Sequence, residues 1–208
     1  MKLFLLITLL SLSVSAKKPA AKKTAEPAKA AATTKTPPAA GQSLSFKEAD
    51  GKVGFLAVGK PAMLKIVGEG PGPQGNLNLV EDKLQGTLTI DMTKLTTKID
   101  LRDDHMKNKY LEVGKYPTAE LIFKDQPLKL NDISAEASEK TFNADLKLHG
   151  VTKPVTGKIK LSKNQSIVSG VATFKIAVMD YLDTLPSYAG IKVADDVEVT
   201  VDLKTISQ

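Results

Sequence analysis

The chain contains no cysteine and no tryptophan, only two histidines, and just 5% aromatic residues over its 208 positions. Without cysteine there is no disulfide framework, no thiolate metal site and no lipid anchor carried on a cysteine. The fold must rest on its apolar core alone. The two histidines, His105 and His149, do not stand in a His-Glu-x-x-His spacing, and no Gly-x-Ser-x-Gly elbow occurs, so the motifs of the common hydrolases are missing. The residues read as a binding module and not an enzyme; a hydrolase or isomerase acting through His105 is the catalytic alternative. Asp103, Asp104 and His105 come closest to a metal cluster, but adjacent side chains splay around a helix instead of converging. Asp180, Asp183, Asp195 and Asp196 lack EF-hand spacing. No metal and no organic cofactor is expected.

Long hydrophobic runs are also scarce. Leu3 to Leu12 is the longest, too short for a comfortable membrane span. With Met1-Lys2 before it and Val14-Ser15-Ala16 after it, the stretch 1–16 reads as a secretory signal peptide, which predicts an exported protein, periplasmic or secreted. Residues 17–42 then shift to Lys, Ala, Pro and Thr, with six lysines against Glu26 alone, the composition of a disordered tether. Removing both stretches leaves 22 basic and 22 acidic groups in residues 43–208, so the formal charge of +6 belongs to the leader and tether. The tether is either a soluble spacer or a weak, salt-sensitive contact with an anionic envelope surface. A neutral domain with few aromatics excludes the usual nucleic-acid footprint.

Residues 43–208 suit one domain with a single core, and most of them alternate at period two. Leu44 and Phe46, Val53 to Val58, Ala62 to Ile66, Leu77 and Leu79, and Leu84 to Asp91 predict short antiparallel strands. So do Ala119 to Phe123, Thr141 to His149, Val155 to Leu161, Val168 to Ile176, and Val197 to Leu203. In Thr141 to His149 the residues Phe142, Ala144, Leu146 and Leu148 face in, while Asn143, Asp145, Lys147 and His149 face out. Gly68 to Gly75 reads as a hairpin connection, since it has neither a P-loop ending nor a dinucleotide fingerprint. Met179 to Lys192 reads as a long loop.

The only convincing helix signal lies at 99–113. Asp100 is placed as N-cap, Asp103 at the capping-box position, Gly114 as the left-handed residue after the last turn, and Pro117 as the stop. About three turns are expected, with Met106, Tyr110 and Val113 forming an apolar stripe that lies on the sheet as a lid. Arg102 and His105 at its start either hold a polar head group or tie the helix to nearby backbone. Eight or nine strands, each with one apolar and one polar face, and one helix suit an all-β antiparallel barrel or sandwich with a solvated outside. Its interior is then either filled or wide enough for one small ligand. The small inner residues Gly86, Ala144, Gly157, Gly170 and Ala172 fit a long lumen, or bends and bulges in a packed core.

Four segments, Arg102-Asp103-Asp104-His105-Met106, Tyr116-Pro117-Thr118-Ala119, Leu146-Lys147-Leu148-His149-Gly150-Val151-Thr152-Lys153-Pro154-Val155 and Val193-Ala194-Asp195-Asp196-Val197-Glu198-Val199, stand in an order and spacing that resembles the YceI-like family. The resemblance covers about residues 44–205. It implies an exported bacterial domain with an all-β, antiparallel, lipocalin-like barrel of about eight strands and one short helix near the mouth, which binds a long apolar molecule of the polyisoprenoid, isoprenoid-quinone or fatty-acyl type. Two departures stand out: Tyr110-Leu111 replaces a frequent aromatic pair, and the lysine-rich tether is unusual.

The reading that results is an exported carrier or sequestering protein for an isoprenoid or quinone lipid. Leu88, Phe123, Phe142, Leu146, Leu148, Phe174, Ile176 and Val199 line the lumen, and Arg102 and His105 sit nearest the head group. The alternative is a secreted structural or interaction protein with a filled barrel, attached to an anionic envelope and linked to stress tolerance. A homodimer is compatible with either.

Overall fold

Alternation along each strand decides the architecture, because a chain with one apolar and one polar face must curl until the apolar faces meet. The computed structural model describes residues 41–60 and 64–207; the expected signal peptide, nearly all of the expected tether, and Ala62 lie outside the described residues. The strands are β1 (Gln42–Phe46), β2 (Lys52–Lys60), β3 (Lys65–Pro71), β4 (Gln74–Val80), β5 (Lys83–Asp91) and β6 (Thr118–Pro127). They continue as β7 (Ser138–Leu148), β8 (Val151–Asn164), β9 (Ile167–Ala177), β10 (Ser187–Tyr188) and β11 (Ile191–Ser207).

These form one antiparallel sheet in the order β1-β4-β5-β6-β7-β8-β9-β11-β2-β3, and β1 pairs with β11 as well as with β4, so the sheet closes on itself. Closure removes the exposed edges at that end of the barrel. β1 and β2 are successive parts of one broken rib along β11: β1 pairs with Ile206 and Ser207, and β2 with Lys192 to Asp202. β3 and β4 break in the same way along their partners β2 and β1. The ring thus has eight ribs, and more segments than the eight or nine expected. The inner faces are those read from the alternation: Phe142, Ala144, Leu146, Val155, Leu161, Val168, Ala172, Phe174 and Val201 are all buried.

Gly68 to Gly75 is not a loop. β3 runs through Gly68 and Gly70, and only Gly72 and Pro73 connect it to β4. Gly68 pairs with Phe55 on β2, and a Cβ there would lie 2.2 Å from the Phe55 ring. The ring lies over the bare backbone, the device by which an aromatic neighbour restores a glycine-weakened strand. The β7–β8 hairpin turns on two left-handed residues, His149 (φ 51°) and Gly150 (φ 79°), as a two-residue loop of the primed type requires. His149 therefore belongs to the turn and not to the outer face of β7. The expected loop 179–192 holds a short helical turn at Val178–Asp180 and the small hairpin of β10 with β11.

The helix is shorter and differently capped than its sequence suggests. Helix α1 (Asp100–Asp104) starts after Ile99, which is the N-cap but supplies no side-chain bond. A π-helical turn comes next at His105–Tyr110, marked by the Leu111 N–H donating to the Met106 carbonyl at 2.9 Å. Asp103 does not complete a capping box with Asp100; it turns back to the preceding segment, accepting from the Thr96 hydroxyl at 2.6 Å and the Thr97 N–H at 2.6 Å. The left-handed residue after the helix is Glu112 (φ 44°), not Gly114. The wide turn rotates its last residues about the helix axis, so that Leu111 joins Met106 and Tyr110 facing the barrel.

Candidate lipid-binding site

Among the described residues, two cavities stand out inside the barrel. The larger, about 180 Å³, is at the end where α1, its π-helical turn and β10 meet, and the smaller, about 80 Å³, is at the other end. A dry cavity of about 150 Å³ already admits benzene. Seven of the proposed residues line the larger one: Arg102, His105, Leu146, Leu148, Phe174, Ile176 and Val199. Leu88, Phe123 and Phe142 line the smaller, and Ile90, Leu146 and Phe174 border both, forming the partition. The ten residues are therefore brought to one interior but divided between two chambers.

The division has a cause in small residues read as lumen space. A Cβ on Gly157 would stand 2.6 Å from Phe142 and 2.7 Å from Phe174; that glycine makes room for two rings. Phe123, Phe142 and Phe174 pack in series, with centroids 6.1 and 6.0 Å apart and the second pair edge to face, within the favourable range for aromatic pairs. The space over the glycine is filled by its neighbours, as in a packed core.

At the mouth the polar groups are few and held in place. The Arg102 Nη2 donates to the Thr97 carbonyl at 2.9 Å, and its guanidinium lies 5.5 Å from the centre of the Tyr188 ring. Its Nε is buried and has no hydrogen-bond partner among the described residues. His105 lines the same cavity. Burial pushes the Tyr181 phenol up to about 12, with the Asp180 carboxylate adding to the effect, so this cavity-lining group stays a neutral hydroxyl. Burial works against the charge on Asp103, yet the Thr96 and Thr97 hydroxyls and the Thr97 N–H outweigh it and hold that pKa below the ordinary value. This carboxylate fixes the segment from which Arg102 projects. Asp104 accepts from the Asn108 side chain at 2.7 Å, so the two aspartates serve different partners and do not converge with His105.

Tyr110 locks the mouth from the other side. Its hydroxyl donates to the Ser187 carbonyl at 3.2 Å and accepts from the Ser187 N–H at 3.0 Å, joining the π-helical turn to β10. The Ser187 side chain foremost lowers the phenol pKa. Sequence reading misses Tyr181, Leu182 and Tyr188, which sit in a region that reads as a bare loop, and also Met92, Leu95 and Thr97 in the lead-in to the helix. Two tyrosines and two leucines within the eight residues 181–188 are the available signal.

His149 and the motif around it have another task. The imidazole Nε2 lies 2.7 Å from the Glu112 carboxylate, and its ring centre lies 4.4 Å from that of Tyr116. The Leu146 to Val155 segment of the resemblance thus supplies, through His149, a brace between the β7–β8 turn and the segment after the helix.

The sequence profile of the YceI-like domain matches residues 39–205. The chain belongs to the YceI-like family. A UPF0312 protein of Pseudomonas paraeruginosa is 40% identical over 75 residues, a stretch that spans 36% of this chain and 36% of that relative. Among solved structures, a polyisoprenoid binding domain from Saccharophagus degradans superposes with TM-score 0.61 at 17% identity, covering 79% of this chain and 98% of that one. BcnA of Burkholderia cenocepacia gives TM-score 0.61 at 17% identity, covering 76% and 98%. A YceI protein of Campylobacter jejuni gives 0.54 at 16% identity, covering 70% and 87%. At these identities the likeness establishes the YceI-like barrel fold.

Proposed function

We propose that this chain is an exported binding protein that holds an isoprenoid, isoprenoid-quinone or similar long apolar lipid in its barrel for carriage or sequestration. The observation that carries the reading is the mouth cavity: an apolar wall with a buried Arg102 Nε that has no hydrogen-bond partner among the described residues. A buried donor without an acceptor costs about 1–3 kcal/mol, and a ligand head bearing a carbonyl or phosphate oxygen would remove that cost. Each methylene placed against the wall contributes about 0.8 kcal/mol, offset by the ordering of the chain. The Saccharophagus domain, which binds polyisoprenoid, supports the ligand class, and the leader at residues 1–16 supports export to the periplasm or beyond. The lower chamber, narrowed by Phe123 and Phe142, favours the filled-barrel alternative for that half of the interior only.

Native mass spectrometry of the protein purified from its own host, followed by organic extraction, tests the reading. A single isoprenoid or quinone species near one per chain is expected. Protein that arrives empty and also refuses added polyprenols and quinones overturns it.

A further inference from the structure

Six large apolar side chains stand exposed among the described residues, and four of them, Val67, Ile99, Leu101 and Met179, are at the mouth end of the barrel. Leu101 is 60% exposed and Val67 62%, on the segments nearest the cavity entrance. Glu69 and Thr96 form an isolated antiparallel bridge and Lys98 reaches Glu69 at 2.7 Å, so the segment leading into α1 lies against β3. So the outer edge of β3 and the first turn of α1 present one apolar corner.

Cations surround it. Lys60 and Lys192 are direct cross-strand partners on β2 and β11, an arrangement that costs stability through like-charge repulsion. Neither they nor Lys65 on β3 forms an ion pair among the described residues. Across residues 60–69, 98–109 and 187–192 seven cations stand against four carboxylates, on a domain that is neutral as a whole. Of those four, Glu69 and Asp103 are engaged within the protein, leaving Asp100 and Asp104 on the exposed helix surface.

We propose that the barrel mouth docks on an anionic lipid bilayer, with Leu101, Ile99 and Val67 entering the headgroup layer and Lys60, Lys65 and Lys192 facing its phosphates. Exposed aliphatic side chains beside unpaired lysines match the two demands of such a surface, apolar depth and negative charge. The docking itself needs no lipid in the cavity; its use as an entry route rests on the lipid-holding reading. A molecule insoluble in water could then pass from membrane to cavity past the Ile99–Leu101 turn.

The test is co-sedimentation of the purified chain, tether included, with vesicles of phosphatidylethanolamine and phosphatidylglycerol, against vesicles of phosphatidylcholine alone. Binding to the anionic vesicles is expected, reduced at least about tenfold by Ile99→Ser with Leu101→Ser and severalfold by Lys60→Gln with Lys192→Gln at low salt. These positions are exposed, so unchanged thermal melting serves as the folding control. If the wild type ignores anionic vesicles, or both double variants bind as it does so that the tether alone is responsible, the proposal is overturned. Ligand occupancy measured by native mass spectrometry in the absence of vesicles keeps the two readings apart: an occupied protein that ignores vesicles refutes docking alone, and an empty protein that binds them refutes lipid holding alone.

Discussion

Tyr116 lies against His149 with ring centres 4.4 Å apart and an interplanar angle of 54°, and the same tyrosine closes over Gly150. A Cβ on Gly150 would lie 2.9 Å from the Tyr116 ring at a backbone φ of 79°. Gly150→Ala should therefore destabilise the protein by about 1–2 kcal/mol, from left-handed strain and displacement of the ring together. Tyr116→Ala should cost a similar amount by removing the brace. Urea titration followed by circular dichroism checks both; an unchanged midpoint for either would mean that the brace is not structural.

Phe142 is the plug of the lower chamber. Phe142→Ala should destabilise by about 3–5 kcal/mol while enlarging the smaller cavity toward the larger. The bound lipid should shift toward longer chains, a change read by comparing affinities across a series of polyprenols. Loss of stability with no change in chain-length preference would show that ligands stop at the Phe174 partition.

Arg102→Gln keeps a long polar side chain and removes the unpartnered donor with its charge. Affinity for an isoprenoid with an oxygenated head should fall by about tenfold, as the loss of one buried charged hydrogen bond implies, while affinity for a plain hydrocarbon of equal length stays constant. His105→Ala tests the second head-group residue in the same assay. Equal losses for both ligands would assign Arg102 to the wall and not to the head group.

Tyr110→Phe removes the hydroxyl that ties the π-helical turn to Ser187. Stability should drop by about 0.5–1.5 kcal/mol, and lipid release should quicken, because the mouth loses its clasp. Stopped-flow transfer of a fluorescent lipid to acceptor vesicles measures the rate.

The pH dependence of the mouth is set by Asp103. Its pKa in the folded protein lies below the ordinary value, so its contribution is complete above the unfolded carboxylate range, about pH 4, and is lost as pH falls through the lower folded value. Glu69, held between Lys52 at 2.5 Å and Lys98 at 2.7 Å, is lowered to about 2 and acts in the same direction at the neighbouring edge of β3. The protection of segment 96–104 against hydrogen exchange, taken relative to the intrinsic rate at each pH, should hold at neutral pH and fall below about pH 4. Asp103→Asn should show the acid behaviour at every pH.

Sequence patterning reaches far into this fold because period-two alternation reports directly on which face is buried. Phe142, Ala144 and Leu146, or Val168, Gly170 and Ala172, could hardly face any other way. The helix is legible in its position but not in its geometry, since a π-helical turn arises when packing demands that Met106 and Leu111 share a face, a tertiary condition invisible to local capping rules. Gly68 misleads for a related reason: glycine signals a turn until a cross-strand ring such as Phe55 covers it. The interior residues are legible as a set, yet their division between two chambers depends on how Phe142 and Phe174 fill the space over Gly157. Tyr181 and Tyr188 escape notice because a loop has no period from which an inward direction can be read.

The rib formed by β1 has a consequence in time as well as in space. Leu44 pairs with Ser207 and Ser45 with Ile206, and the Thr205 hydroxyl donates to the Ser45 carbonyl, 160 positions away. The first strand thus has no seat against β11 until the last strand has been made. Every hairpin from β4 to β9 forms between neighbours in sequence, whereas the pairing of β1 with β11 joins distant segments. Such a long-range closure carries the entropy cost of joining distant ends and is slow beside hairpin formation, so the sheet stays open beside β1 until β11 is in place.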